Sequence, residues 1–123
     1  MIPDKSLSPE FSGRFTDPAV DGLVLVLTTW PAGAAVETLA ETFIRDGLAA
    51  CITVLPAHRS VYRWDGAIEH ADEQQLLLKT TRRKLAALEA AVHAAHPYEV
   101  PEFLAIGVDA ASQAYEAWIR GTV

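Results

Sequence analysis

The sequence feature that most constrains the fold is a tight-turn signal, Asp65-Gly66, between two long extended segments. An Asp-Gly pair tolerates the positive backbone angles of a two-residue hairpin turn, so it predicts two antiparallel strands. The flanking segments run from Leu48 to the turn and from the turn to Thr80. Pro56 interrupts the first arm, and the second is expected to break around Glu69 to Glu73 and to resume at Gln74.

Strand-like and helix-like periods alternate along the rest of the chain. Continuous apolar runs of strand length predict strands covered on both faces, and apolar residues at i, i+3, i+4 and i+7 predict helices packed on a sheet. In order, the segments are a strand at 22–29, a helix opened by Pro31 and closed by Gly47, the hairpin, a helix capped by Thr80 or Thr81 and ended by Pro97, a strand at 101–108, and a short helix capped by Ser112 with Tyr115, Trp118 and Ile119 turned inward.

This order of elements predicts an α+β fold. The sequence strand, helix, strand, strand, helix, strand is typical of a ferredoxin-like βαββαβ sandwich, a four-stranded antiparallel sheet with both main helices on one face. The extended hairpin and the short C-terminal helix are additions to that sandwich. The chain has 123 residues, which fits one domain, assigned to residues 21–123. Residues 1–20 carry three prolines and no apolar period, so they are expected to form a flexible N-terminal arm.

Charge and cysteine content restrict the partners and the compartment. Ten Lys and Arg face sixteen Asp and Glu, a formal charge of -6, so the phosphate backbone of nucleic acid would be repelled. A single cysteine allows no internal disulfide, and no apolar run has the length of a membrane span or of a secretory signal. These features predict a cytoplasmic protein that binds neither nucleic acid nor membrane.

The predicted hairpin is longer than the helices beside it, so part of it should project from the sandwich. Tyr62 and Trp64 would lie on one face of the projecting part, where aromatic surface and unpaired backbone are unfavourable unless another chain covers them. A homo-oligomer is therefore expected.

Two segments carry candidate functional groups. His96-Pro97-Tyr98-Glu99, followed by Pro101-Glu102, places an imidazole, a phenol and two carboxylates at a helix-to-strand junction, where His96 could equally serve only as a helix-end residue. Lys79, six residues after Glu73, has the strand parity of Gln75 and could hold an anion or form an ion pair between subunits. Cys51 is expected to be a small buried hydrophobe, with a redox or metal role as the alternative.

Several of these segments together resemble the CutA family of divalent-cation-tolerance proteins. The similar motifs are Leu48-Ala49-Ala50-Cys51, Ser60 to Gly66, Glu73 with Lys79-Thr80, His96 to Glu102, and Tyr115 with Trp118. The resemblance implies a small ferredoxin-like chain that forms trimers through the extended hairpin, in an arrangement similar to the PII signalling proteins. It also implies a part in tolerance of divalent metals, copper above all.

The resemblance further implies metal contacts from a Cys near the end of the first strand and from a His-His pair before the Pro-Tyr. Here Thr28 or Thr29 and Ala95-His96 stand at those places, so His96 is the one candidate metal ligand that remains. One imidazole beside a hydroxyl predicts weak binding of copper or another divalent cation.

Three functional hypotheses follow. The first is a CutA-like trimer whose clefts between subunits bind copper weakly or bind a small anionic ligand. The second is a PII-like regulator that binds a partner or metabolite, and the third is a hydrolytic or lyase-type enzyme using His96 or Glu99 as acid or base, although no residue is assigned as catalytic. The candidate cleft residues are Tyr62, Trp64, Glu73, Lys79, His96, Tyr98 and Glu99.

Overall fold

The computed structural model describes residues 21–33 and 35–123. The predicted arm at residues 1–20 lies outside the described residues. In chain order the elements are β1 (Leu23–Pro31), α1 (Val36–Arg45), β2 (Cys51–Val54), β3 (His58–Trp64), β4 (Ala67–Thr81), a 3-10 turn (Arg82–Lys84), α2 (Leu85–Ala95), β5 (Leu104–Gly107) and α3 (Gln113–Thr122).

The sheet is antiparallel throughout and confirms the ferredoxin-like α+β fold. β1 lies between β4 and β5, while β2 and β3 pair one after the other along the opposite side of β4. The fifteen residues of β4 therefore belong both to the sandwich and to the projecting hairpin. Asp65 and Gly66, with φ of 52° and 82°, form the predicted turn between β3 and β4.

The expected break at Glu69 to Glu73 is wrong. Residues 67–73 are part of the continuous strand β4 and pair with β3 from Trp64↔Ala67 to His58↔Glu73. The charged and polar side chains that suggested a break mostly point to solvent from the projecting hairpin, where a strand tolerates them.

Two predicted helix boundaries also differ from the structure. Pro31 is the last residue of β1, paired with Glu73, and α1 begins only at Val36 after a turn in which Gly33 has a φ of 87°. Thr80 and Thr81 lie in β4, and the Thr81 side chain makes no capping hydrogen bond. The Asp21 carboxylate instead accepts the hydrogen bond of the Arg83 amide at 2.9 Å.

The core lies between the sheet and the helices α1 and α2. Alternate sheet residues face this core, with Val26, Leu76 and Leu78 fully buried, and α2 contributes Leu88 and Val92. Because strand side chains alternate, the intervening residues occupy the other face of the sheet. That face is largely apolar and is left open by the rest of the described chain: Leu104 and Ile106 are 56% and 46% exposed.

The C-terminal helix packs differently from its predicted orientation. The Ser112 hydroxyl accepts from the Tyr115 amide at 3.3 Å, which confirms the cap. Ile119 is buried as expected, but Tyr115 and Trp118 stack on each other with ring centroids 5.7 Å apart and stay largely exposed. Tyr115 is directed toward the sheet, since its hydroxyl contacts Cys51, but neither ring is buried by the described residues.

Candidate functional site

A cleft lies along the projecting hairpin, between β3, β4 and the segment 98–102. It has a volume of about 520 Å³. Five of the seven predicted cleft residues line it: Tyr62, Trp64, Glu73, Tyr98 and Glu99. Tyr62 and Trp64 are two positions apart and therefore lie on the same face of β3, and Glu73 lies on the paired strand β4. The hairpin thus supplies aromatic and acidic side chains to this cleft.

His96 lies behind the cleft wall and positions it. The side chain is 8% exposed, with Nε2 2.6 Å from the Thr29 carbonyl oxygen, while Nδ1 accepts a hydrogen bond of 3.0 Å from the Tyr98 amide. Because a carbonyl oxygen only accepts, Nε2 carries the proton in this arrangement. The ring lies between those of Trp30 and Tyr98, at centroid distances of 4.1 and 4.7 Å. His96 thus connects the helix-side core to Tyr98.

The same contacts restrict metal binding by His96, because both ring nitrogens already have hydrogen-bond partners. Nδ1 uses its lone pair on the Tyr98 amide, and Nε2 uses its proton on the Thr29 carbonyl. A metal ion at either nitrogen would have to displace one of these partners. The metal assignment of His96 stays a prediction with that added requirement.

Tyr98 and Glu73 form the central polar contact of the cleft. The Tyr98 hydroxyl donates to Oε2 of Glu73 at 2.8 Å, and Glu73 is only 6% exposed. Desolvation by burial, followed by the hydrogen bond to Glu73 and the charge of that carboxylate, raises the pKa of Tyr98 to about 12. The phenol is therefore held neutral, as a hydrogen-bond donor.

Glu102 is a cleft residue absent from the predicted set. The Gln75 amide donates to Glu102 Oε2 and to the Thr28 carbonyl, both at 2.9 Å, and the Thr28 hydroxyl donates to the Glu102 carbonyl at 2.6 Å. Its acidic side chain next to Pro101 was the available signal. Thr29, Ser60, Val61 and Val100 also line the cleft, but nothing in their chemistry distinguished them in the sequence.

Lys79 and Cys51 lie elsewhere on the open face of the sheet. Lys79 is six residues from Glu73, about 20 Å along an extended strand. Its ammonium donates to the Thr53 hydroxyl at 2.6 Å and approaches the Cys51 sulfur at 3.7 Å. Cys51 is half-buried, next to the Lys79 ammonium and the Tyr115 hydroxyl, which corrects the prediction of a buried apolar residue.

The charge of the cleft favours cations. Glu73, Glu99 and Glu102 line it, and none of the described lining residues is a Lys, Arg or His. A small anion would meet these carboxylates at short range, which is unfavourable. Within residues 21–33 and 35–123, no three His, Cys, Asp or Glu side chains are grouped as a metal site. No helix in the described part is long and apolar enough to cross a membrane.

Comparisons with known proteins agree on one family. The family model described as CutA1 divalent ion tolerance protein matches residues 24–122. The divalent-cation tolerance protein CutA of Thermus thermophilus is 36% identical over 96 residues, covering 78% of this chain and 93% of that protein. The crystal structure of CutA1 from Oryza sativa superposes with a TM-score of 0.79 at 34% identity, covering 82% of this chain and 93% of that chain.

Relatives differ in the compartment that their names give. Protein CutA, chloroplastic, of Arabidopsis thaliana is 33% identical over 99 residues, covering 80% of this chain and 54% of that protein. A structure with a TM-score of 0.77 and 29% identity, covering 81% of this chain and 97% of that chain, is of the periplasmic divalent cation tolerance protein CutA from Archaeoglobus fulgidus. The cytoplasmic location of this chain stays a prediction.

The contact between Tyr98 and Glu73 predicts a measurable titration. Glu73→Gln should lower the pKa of Tyr98 from about 12 part of the way toward 10, because the carboxylate charge is removed while burial remains. Absorbance titration of tyrosinate, with Tyr98→Phe to assign the step, measures this value. Glu41→Gln, on the exposed face of α1, is the control and should leave it unchanged. An identical Tyr98 titration in Glu73→Gln and wild type would contradict the assigned contact.

The same shift has a linked effect on stability. The pKa of Tyr98 is higher in the folded chain than the ordinary value of 10, so its contribution is fully present below about pH 10. That contribution is lost as pH rises through about 12, because the unfolded state then releases the proton more readily.

Proposed function

The chain belongs to the CutA1 divalent ion tolerance protein family, and we propose that it acts in this tolerance as a homotrimer whose clefts between subunits bind cations. The observation that carries the proposal is the acidic cleft along a projecting hairpin, lined in part by Glu73, Glu99 and Glu102. A second copy that packs against the hairpin would turn this open cleft into an enclosed one.

The open sheet face supports association of copies. Leu104 and Ile106 present apolar surface there, together with the half-buried Leu25, Leu27 and Leu77. A continuous apolar face of this kind is unfavourable in water and is typical of a surface between protein chains. Burial against a second copy would gain about 25 cal/mol for each Å² of apolar area removed from water.

The backbone of the hairpin supports the same conclusion. β3 pairs with β4 alone among the described strands, and residues 67–71 of β4 have no strand on their other edge in the described part. Both edges of the projecting hairpin can therefore accept a strand from another chain. Contacts that repeat head to tail close into a ring, and three-fold closure is the arrangement that the family resemblance implies.

Oligomerisation can be tested by one substitution on the open face. We expect light scattering to give a wild-type mass about three times the 13.3 kDa of the chain. Ile106→Asp should yield monomers at micromolar concentration, because it would bury an unpaired charge between copies. Ala90→Asp adds the same charge on the exposed surface of α2 and should stay trimeric. A monomeric wild type at this concentration would refute the proposed assembly.

The oxygen ligands of the cleft suit weak binding of divalent cations. Glu73 already accepts a hydrogen bond from Tyr98, and Glu102 accepts one from Gln75. One subunit can therefore offer a cation only the remaining lone pairs of these two carboxylates and the carboxylate of Glu99. A few carboxylates without a closed ligand set are typical of affinities of about 10⁻⁴ M or weaker. Copper would gain the His96 imidazole only by displacing the Thr29 carbonyl or the Tyr98 amide. The PII-like and enzymatic alternatives stay predictions without a specific contact in their favour.

Growth in the presence of metal tests the proposed function directly. Expression of this chain in a Salmonella strain lacking its own CutA should restore growth on medium containing excess copper. The double variant Glu73→Gln with Glu99→Gln should restore less growth, since it neutralises two of the cleft carboxylates. Glu41→Gln, a carboxylate paired with Arg45 on α1, should behave as wild type. No restoration by wild-type protein shown to be expressed and trimeric would overturn the proposal.

A further inference from the structure

We propose that the cleft takes an organic cation, a primary ammonium group carried on an apolar or aromatic body, with Glu73 as its charge partner. Tyr62 would pack against the body of the ligand, and Trp64, farther along β3, would line the outer end of the cleft. This inference rests on the proposed function in one respect, that the cleft is the ligand site of the assembled protein.

Glu73 is the first reason. It is 6% exposed and lines the cleft, and its one recorded hydrogen bond comes from the Tyr98 hydroxyl to Oε2. No Lys, Arg or His of residues 21–33 and 35–123 forms an ion pair with it. A carboxylate that is buried without a cation is unfavourable, and one neutral donor offsets only part of that cost. An ammonium group entering the cleft would supply the missing charge and up to three further donors.

The aromatic wall is the second, independent reason. Tyr62 and Trp64 are 42% and 48% exposed and lie on the same face of β3, toward the cleft. An indole or phenol face attracts a cation within about 6 Å of its centre, and it also covers apolar groups. A bare metal ion would use only the oxygen atoms of this wall, whereas an organic cation would use the carboxylate and the ring faces together.

The size of the cleft and its ligand set favour an organic cation over a tightly bound metal ion and over an anionic metabolite. A volume of about 520 Å³ is that of a small-molecule site rather than of a single ion. No group of three metal-binding side chains occurs in the described part of the chain. An anionic metabolite would meet Glu73, Glu99 and Glu102 with no cation among the described lining residues.

Three small molecules of similar shape but different charge show whether the charge of the ligand determines its binding to the cleft. Isothermal titration of the full-length protein would use phenethylamine, 2-phenylethanol and phenylacetate. We expect saturable binding of phenethylamine, binding of the neutral alcohol at least tenfold weaker, and no binding of phenylacetate. An equal affinity for the amine and the alcohol would overturn the inference, and so would the absence of amine binding.

Variants assign the binding to the cleft. Glu73→Gln should weaken phenethylamine binding about tenfold or more, since a hydrogen bond to a charged group is removed. Tyr62→Leu, at an exposed position where unfolding is not expected, should weaken it about threefold to tenfold. Glu41→Gln is the charge-matched control and should leave the affinity unchanged. Circular dichroism and light scattering verify that each variant is folded and has the wild-type mass. Unchanged affinity in both cleft variants would overturn the assignment.

The outcome is separable from that of the proposed function. Restored growth on copper without amine binding would overturn the organic-cation inference alone. Amine binding that is lost in Glu73→Gln, without restored growth, would overturn the role in metal tolerance and leave the ligand class standing.

Discussion

The continuity of strand β4 is the constraint on which the rest of the structure depends. Its fifteen residues pair with β1 and β2 at one end and with β3 at the other, so one backbone supports both the sandwich and the hairpin. Side chains alternate along it, and Leu76 and Leu78 enter the helix-side core while Glu73 and Lys79 occupy the opposite face. A shift of register by one residue would exchange these sets, so the buried leucines also fix where the cleft carboxylate lies.

Most of the fold could be predicted from periodicity, because each element carries its own hydrophobic pattern and the Asp65-Gly66 turn fixes the hairpin. The errors arose where local composition opposed the wider context. Polar residues at 69–73 looked like a break, but pairing with β3 keeps that segment extended. Pro31 looked like the start of a helix, but it occupies a strand end, where its missing amide proton costs little.

The cleft could be predicted only in part, since residue type shows what a side chain can do but not what it contacts. Tyr62, Trp64, Glu73, Tyr98 and Glu99 do lie together. His96 was recognised by its chemistry, and its hydrogen bond from the Tyr98 amide is local, but its contact with the Thr29 carbonyl joins residues distant in sequence and depends on the fold. The contact between Gln75 and Glu102 also depends on how segment 98–102 folds back over the sheet, which no local pattern contains.

The two edges of the projecting hairpin, which pair with no further strand among the described residues, affect how a newly synthesised chain folds. In the proposed trimer, backbone hydrogen bonds of the hairpin would form only after copies meet, so part of the folding free energy depends on protein concentration. At low protein concentration the sandwich would fold while the edges of the hairpin stay unpaired. Those edges could then pair with a second copy of this chain or with any other extended polypeptide. The rate of synthesis would then determine whether the chain assembles or aggregates. The charged residues along the hairpin would disfavour pairing with unrelated polypeptides.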